Sequence, residues 1–323
     1  MRERLTVTPS QYRWIAYFTL ASLTAIVLTG AAVRLTDSGL GCENWPKCGG
    51  TPLPPLSSHA LIEFGNRAVS GVVGVITIIA AVFAFTRRPF RRDLAVLAVL
   101  LPLGVVAQAV LGGFTVLEHL APGFVMAHFS LSMLILIPAV ALAWRSTYEP
   151  GWRPRSRDRV VVWSIRGLLA LGALTIFAGT AATAAGPHSG GVSGQHVHRL
   201  HFKGTDTLTW VIHQHAVIAA LFGVAVIGVW LLQRHRGGSE GVVEPLTALG
   251  VLLAAQGLVG SVQYELHLPS DMVWVHVGLA TATWLVALWS VAAAGRLAPR
   301  RVQESVSHPA VADHDFEAVA RLS

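Results

Sequence analysis

Apolar residues run through this chain in long, nearly unbroken stretches, without the alternating or three-to-four spacing that marks the exposed elements of a water-soluble fold. Eight stretches reach the roughly 20 residues that a bilayer-spanning helix needs. They lie near residues 14–33, 60–85, 94–116, 123–144, 160–185, 208–232, 243–262 and 271–294. The pattern predicts an all-α integral membrane protein of eight transmembrane helices. The first stretch has no small-residue cleavage signature, so it is read as a retained span rather than a signal peptide.

A second pattern overlies the first. Ala107-Gln108-Ala109-Val110-Leu111-Gly112-Gly113 returns as Ala255-Gln256-Gly257-Leu258-Val259-Gly260-Ser261, an offset of 148 residues. The same offset carries His119 onto His267 and His128 onto His276. Apolar helices drift into resemblance by composition, but that does not keep Gln, Gly and two His in register. Weaker echoes link Leu28-Thr29-Gly30 to Ala178-Gly179-Thr180 and Asp37-Ser38-Gly39 to His188-Ser189-Gly190. Four spans per half keep both halves in one orientation. The chain therefore reads as a tandem parallel repeat of two pseudo-symmetric four-helix bundles. The N-terminal half takes in residues 1–150, with an outer cysteine loop at 34–59, and the C-terminal half residues 151–297. Residues 298–323 read as a polar, disordered tail.

Composition agrees with this picture: 53% of the 323 residues are hydrophobic and 13% charged. Charge adds an orientation. One set of loops carries Arg2, Arg4 and Arg13; Arg87, Arg88, Arg91 and Arg92; Arg145, Arg153, Arg155, Arg157 and Arg159; Arg234 and Arg236; and Arg296, Arg300 and Arg301. The opposite loops hold little beyond Arg34, Lys47, Arg199 and Lys203. Positive charge stays inside, so both termini are expected in the cytoplasm of a cell-membrane protein. The net charge of +7 is then a topology signal and a contact for anionic lipids, not a nucleic-acid site. Neither a GxGxxG nor a P-loop pattern is present, so no nucleotide site is expected.

Candidate chemistry gathers near the outer ends of the even-numbered spans. Asn66, His128, His215 and His276 each lie a turn or two inside, on spans two, four, six and eight. Polar groups at membrane depth are costly and mark function, and two facing imidazoles can hold a haem iron. His213 competes with His215, but two residues apart on a helix they point to different sides. Singly, each histidine would read as a helix–helix hydrogen-bond partner; the repeat is what favours ligation. His119 and His267 sit in short outer loops, and His59, His188, His196, His198 and His201 in outer loops or at helix edges. Glu63 heads a carboxylate-amide-guanidinium face with Asn66 and Arg67. It reads either as an ion pair with Arg67 or as a proton-handling group beside a reacting centre. Gln108 and Gln256 read as interhelical hydrogen-bond partners. The tryptophans Trp14, Trp45, Trp163, Trp210 and Trp274 fall at predicted boundaries, as an interfacial belt does. Cys42 and Cys48 share the first outer loop, on the side that permits disulfides. They read as a bridge that staples the loop or as a redox-active pair.

Arg34-Leu35-Thr36-Asp37-Ser38-Gly39-Leu40, then Cys42, Trp45-Pro46 and Cys48, resembles the first outer loop of the haem A synthase family. Ile62-Glu63-Phe64-Gly65-Asn66-Arg67 resembles the second span of that family. Gly186-Pro187-His188-Ser189-Gly190 resembles the loop after the fifth span in its bacterial, actinobacterial-like members. The resemblance covers roughly residues 14–295. It implies an enzyme that oxidises the C8 methyl of haem O to a formyl group, giving haem A for cytochrome oxidase. It further implies a haem b cofactor held by His215 and His276, His128 facing the substrate haem iron, and Glu63 as the catalytic carboxylate. Asn66 and Arg67 would line the substrate pocket, and Cys42 and Cys48 match the family's cysteine pair. Haem O synthase and cytochrome oxidase assembly factors are the implied protein partners, and the sequence does not identify the electron donor. One departure stands out: many members carry His where this chain has Asn66. Either His128 alone then faces the substrate iron, or His59 joins it. Two competing readings explain less. A diheme b-type electron carrier gives Glu63 no task, and a proton-coupled transporter does not account for the cysteine loop.

Overall fold

The computed structural model describes residues 6–42, 44–49, 53–150, 158–192, 194–195, 197–237 and 240–295. Eight α-helices follow one another along these residues: α1 (Pro9–Leu35), α2 (Ser58–Thr86), α3 (Arg92–Leu117), α4 (Pro122–Thr147), α5 (Arg159–Ala185), α6 (Thr207–His235), α7 (Glu240–Glu265) and α8 (Ser270–Ala294). All eight are long and apolar enough to cross a membrane, and the chain is a multi-pass membrane protein. Most helices outrun the apolar stretches that predict them, because caps rather than hydrophobicity set their ends. Thr8 opens α1 with a reciprocal box: its hydroxyl accepts from the Gln11 backbone N–H at 3.2 Å, and Gln11 Oε1 accepts from the Thr8 N–H at 2.8 Å. Ser57 caps α2 by accepting from the Ala60 N–H, and Asp158 caps α5 by accepting from the Val160 and Val161 N–H groups.

Each half closes on itself. Helices α1, α2, α3 and α4 form one ring of neighbours and α5, α6, α7 and α8 a second; α1 and α4 meet α8, and α4 meets α5, between them. Small residues let the first ring pack closely: Ala80, Ala84, Ala98, Ala139 and Ala143 are almost fully buried. Such contacts hold helices together where lipid removes any hydrophobic drive to associate. Helix α8 is pinned to the first ring at two levels. Trp274 Nε1 donates to the Leu28 carbonyl at 3.0 Å and Trp284 Nε1 to the Met133 carbonyl at 2.9 Å. Trp274 therefore does more than mark an interface.

The repeat extends to helix lengths and turns. Matched helices have 27 and 27, 29 and 29, 26 and 26, and 26 and 25 residues. Their starts are displaced by 150 residues for α1 and α5, 149 for α2 and α6, and 148 for the last two pairs. His119 and Leu120 leave α3 with φ of 49° and 59°; His267 and Leu268 leave α7 with φ of 62° and 63°. The same two hydrogen bonds close both turns, from His119 N to Val116 O and Leu120 N to Thr115 O, and from His267 N to Tyr264 O and Leu268 N to Gln263 O. Such left-handed ends satisfy the last helical carbonyls. They reverse the chain tightly and set where α4 and α8 begin.

On the face that carries most of the arginines, several of them are structural. Arg87 is fully buried and pairs with Glu149, while Arg91 and Arg145 both reach Asp93, at 2.9 and 3.4 Å. These side chains tie loop to helix in the first half instead of facing lipid headgroups. Arg2, Arg4, Arg153, Arg155, Arg157, Arg296, Arg300 and Arg301, with the tail at 298–323, lie outside the described residues.

Candidate haem-ligand pair and outer-loop carboxylate

The boundaries of α2 and α6 resolve the register of the repeat. Asn66 lies eight residues into α2 and His215 eight residues into α6; His128 and His276 each lie six residues into α4 and α8. At about 1.5 Å per residue that is about 9–12 Å below the helix starts. Asn66 is therefore the counterpart of His215, and His128 that of His276. By the displacement of α1 and α5, Thr29 is the counterpart of Gly179.

The structure brings His215 and His276 together. Their ring centroids are 6.2 Å apart and the rings are inclined at 76°. Two imidazoles on opposite sides of one iron, with metal–nitrogen bonds of about 2 Å and ring radii of about 1.1 Å, put their centroids about 6 Å apart. The observed separation is of that size. His215 Nδ1 lies 3.0 Å from the Thr175 carbonyl. A carbonyl only accepts, so Nδ1 carries the proton and Nε2 keeps its lone pair. Glycine makes room for each ring: a Cβ on Gly179 would stand 3.1 Å from His215 Cε1, and one on Gly260 would stand 3.2 Å from His276 Cε1. His213 is exposed and turned to its own helix, with Nδ1 3.0 Å from the Thr209 carbonyl.

The first half repeats this only in part. His128 lies against Gly112 as His276 lies against Gly260, with Cε1 3.1 Å from the position of an added Cβ. Its Nδ1 is buried and has no hydrogen-bond partner among the described residues. Across from it the seat has changed. Where the second half sets Gly179 beside His215, the first sets Thr29 beside Asn66, and the Thr29 hydroxyl donates to Asn66 Oδ1 at 2.8 Å. Two residues have changed together: a shorter side chain, and a hydroxyl to hold it.

Glu63 is buried and turned to the outer loop. Its Oε2 accepts from the Cys42 backbone N–H at 2.6 Å, and its Oε1 accepts from Arg67. Arg67 also donates to the Asn44 and Lys47 carbonyls, at 2.9 and 3.1 Å. Cys42 and Cys48 form a disulfide, with Cα atoms 4.7 Å apart. Gly41 brings this loop against the first turn of α2, where a Cβ would collide with the His59 backbone. Trp45 reaches from the loop to Gly113 on α3. The pairing of Glu63 with Arg67 is legible in the sequence; the carboxylate's grip on the disulfide loop is not.

Two of the remaining outer histidines make contacts that hold the loops in place. His59 Nδ1 lies 3.1 Å from the Ser38 hydroxyl, and His188 Nε2 donates to the Leu268 carbonyl at 2.7 Å. Among the described residues no group of three or more His, Cys, Asp or Glu side chains could hold a metal ion; His196 falls outside them. The first-half loop is joined to the second-half loop from Gly39 N to Gly190 O at 2.7 Å and from Arg34 to the Thr183 and His188 carbonyls. Arg199 holds the Gly186 and Pro187 carbonyls. Burial draws its guanidinium below the ordinary arginine pKa, and Asp37 opposes that shift.

A relative named Heme A synthase from Lysinibacillus sphaericus (strain C3-41) is 34% identical over 139 residues, which is 42% of this chain and 45% of the relative. Heme A synthases from Bacillus mycoides (strain KBAB4) and Bacillus cereus (strain AH187) are each 31% identical over 132 residues, 40% of this chain and 42% of theirs. The chain thus spans less than half the length of these curated relatives. A family model described as COX15-CtaA, cytochrome oxidase assembly protein, matches residues 13–288. That match takes in all of the paired histidines, Glu63 and the disulfide loop, and the chain belongs to the COX15-CtaA family.

Proposed function

We propose that this protein is a haem A synthase, which oxidises the C8 methyl of haem O to a formyl group. The observation that carries the reading is the unequal outcome of the repeat. One half has a closed pair of imidazoles with a separation that suits a single iron. The other has one imidazole, an amide held by a neighbouring hydroxyl, and a buried carboxylate nearby in sequence. A pair of equivalent carrier sites would have kept histidine at both matched positions.

In this reading His215 and His276 hold haem b, and His128 faces the iron of haem O. Bound haem supplies the redox chemistry. The protein's own residues orient and protect it. Gly112, Gly179 and Gly260 give the three rings room against the neighbouring helices. The Thr29 hydroxyl keeps Asn66 turned toward α1, and with asparagine at this position no second imidazole is supplied to pair with His128. Glu63 takes up or releases a proton at its carboxylate near the methyl edge, while Arg67 and the Cys42 N–H fix its orientation. The cysteine loop, seated by Trp45 and Gly41, covers this end of the pocket against water. The first half, residues 1–150, is thereby the substrate half and the second, residues 151–297, the cofactor half. The arginine-rich face, with both termini, lies in the cytoplasm. Haem O synthase and cytochrome oxidase assembly factors are the proposed partners for delivering substrate and receiving product.

Pigment extraction from a host that makes haem O, with and without this protein, tests the proposal. Haem A appearing only with the protein is the expected result. Haem b in an intact preparation, with haem O unconverted, would refute it and leave the electron-carrier reading.

A further inference from the structure

The glutamines of the repeat occupy matched positions but do different things. In the second half the Gln256 amide lies 3.1 Å from both His276 Nδ1 and the His276 carbonyl, and 3.2 Å from the Ala280 N–H. With its nitrogen toward the ring it donates to Nδ1 and to the carbonyl, and its oxygen accepts from Ala280. In the first half Gln108 Nε2 donates to the His128 carbonyl at 3.0 Å and to the Ser132 hydroxyl. Among the described residues, Gln108 Oε1 and His128 Nδ1 are both buried without a partner.

The cause of the difference is one residue away. Ser132 and Ala280 are counterparts at the 148-residue displacement of α4 and α8. Where the serine is present, its hydroxyl takes the glutamine amide. Where alanine replaces it, no hydroxyl competes, and the amide reaches the imidazole.

We infer that Gln256 is a positioning residue for His276, released for that role by Ala280, and that Ser132 diverts Gln108 from His128. This rests on the proposed ligation of haem by His215 and His276. An imidazole that ligates through Nε2 carries its proton on Nδ1. To accept that proton the Gln256 amide turns its oxygen toward the ring and gives up its bonds to the His276 carbonyl and the Ala280 N–H, so its orientation differs between haem-free and haem-bound protein. His215 is held in the same sense by Thr175. Both rings of the second half are thus fixed from behind, whereas the ring of the first half is not. A cofactor that stays needs fixed ligands; a haem that enters as substrate and leaves as product needs a ligand that lets go.

The inference is tested on full-length protein purified with its haem. Gln256→Leu removes the partner, Gln256→Glu strengthens the acceptor, and Ala280→Ser restores the competing hydroxyl. Haem-to-protein ratio, the electron paramagnetic resonance of the low-spin haem and its midpoint potential are measured for each. Loss of a partner behind a metal-bound histidine costs about 10–100-fold in metal affinity. Gln256→Leu and Ala280→Ser are therefore expected to lose haem on washing with altered resonance, and Gln256→Glu to keep haem with a lowered potential. Gln108→Leu is expected to leave all three readouts at the wild-type values. Wild-type resonance and potential in both Gln256→Leu and Ala280→Ser would overturn the inference, as would an equal effect of Gln108→Leu. Wild-type protein without any low-spin haem would refute the ligand pair itself.

Discussion

Gly179→Ala adds one methyl group beside His215 and isolates the seat of the proposed ligand. The new Cβ would stand 3.1 Å from Cε1, 3.4 Å from Nδ1 and 3.7 Å from Nε2 of the ring. Carbon atoms prefer about 3.5–4.0 Å, so the ring must retreat by about 0.4–0.9 Å. The Thr175 carbonyl at 3.0 Å resists rotation from one side. His276, at a centroid separation of 6.2 Å, limits retreat on the other, because iron must still fit between. Overpacking of this kind costs about 1–3 kcal/mol. At tenfold per 1.4 kcal/mol, haem affinity falls about 5–150-fold. The helix itself gains, since alanine is the better helix former by about 1 kcal/mol. The two effects separate in one experiment: pyridine haemochrome quantification gives haem per protein, and thermal unfolding gives stability. The expected result is haem b depleted at a stability of the haem-free protein that stays within about 2 kcal/mol of wild type. Gly30→Ala is the control, because a Cβ there meets nothing within 4 Å. Wild-type haem content and spectrum in Gly179→Ala would refute the seating of His215 as a ligand.

Three further expectations follow from the same geometry. Asn66→His alone meets the Thr29 side chain, whereas Thr29→Gly with Asn66→His recreates the arrangement at Gly179 and His215; only the double variant should gain a second low-spin haem signal and lose conversion of haem O. Glu63→Gln retains an acceptor for the Cys42 N–H, so free-thiol titration should find the disulfide intact and haem b present while conversion is lost; retained conversion would make Glu63 structural only. Glu63→Ala leaves Arg67 without its carboxylate; because Arg67 is partly exposed and keeps the Asn44 and Lys47 carbonyls, the loss falls below the about 3–5 kcal/mol of a fully buried pair. Faster proteolysis of the first outer loop than in Glu63→Gln is the readout, and equal rates would refute the anchoring role.

Much of this was legible in the residues. The eight apolar runs predict the eight helices, and the 148-residue offset predicts that Gln108 and Gln256, and His128 and His276, share positions. The offset also contained the seats: Gly112 and Gly260 lie in the repeated segment, but a glycine in a membrane helix is too common to single out. Thr29 and Asn66 were harder to see. Their change is a compensation between two helices, and one sequence does not reveal that two distant residues touch. The tie from Glu63 to Cys42 was hidden for a different reason. It uses a backbone N–H, which has no side-chain identity to read. Ser132 and Ala280 likewise look like ordinary small residues until the amide between them is seen.

The displacement between the halves falls from 150 to 149 to 148 along the chain, while matched helices keep the same length to within one residue. Every net insertion or deletion since the halves diverged has therefore been absorbed almost wholly by connecting segments. One residue gained inside a helix turns everything beyond it by about 100°, enough to swing a histidine from its partner toward lipid. One gained in a loop turns nothing. The angular phase of the helices, rather than any single side chain, is what two diverging halves have had to hold constant.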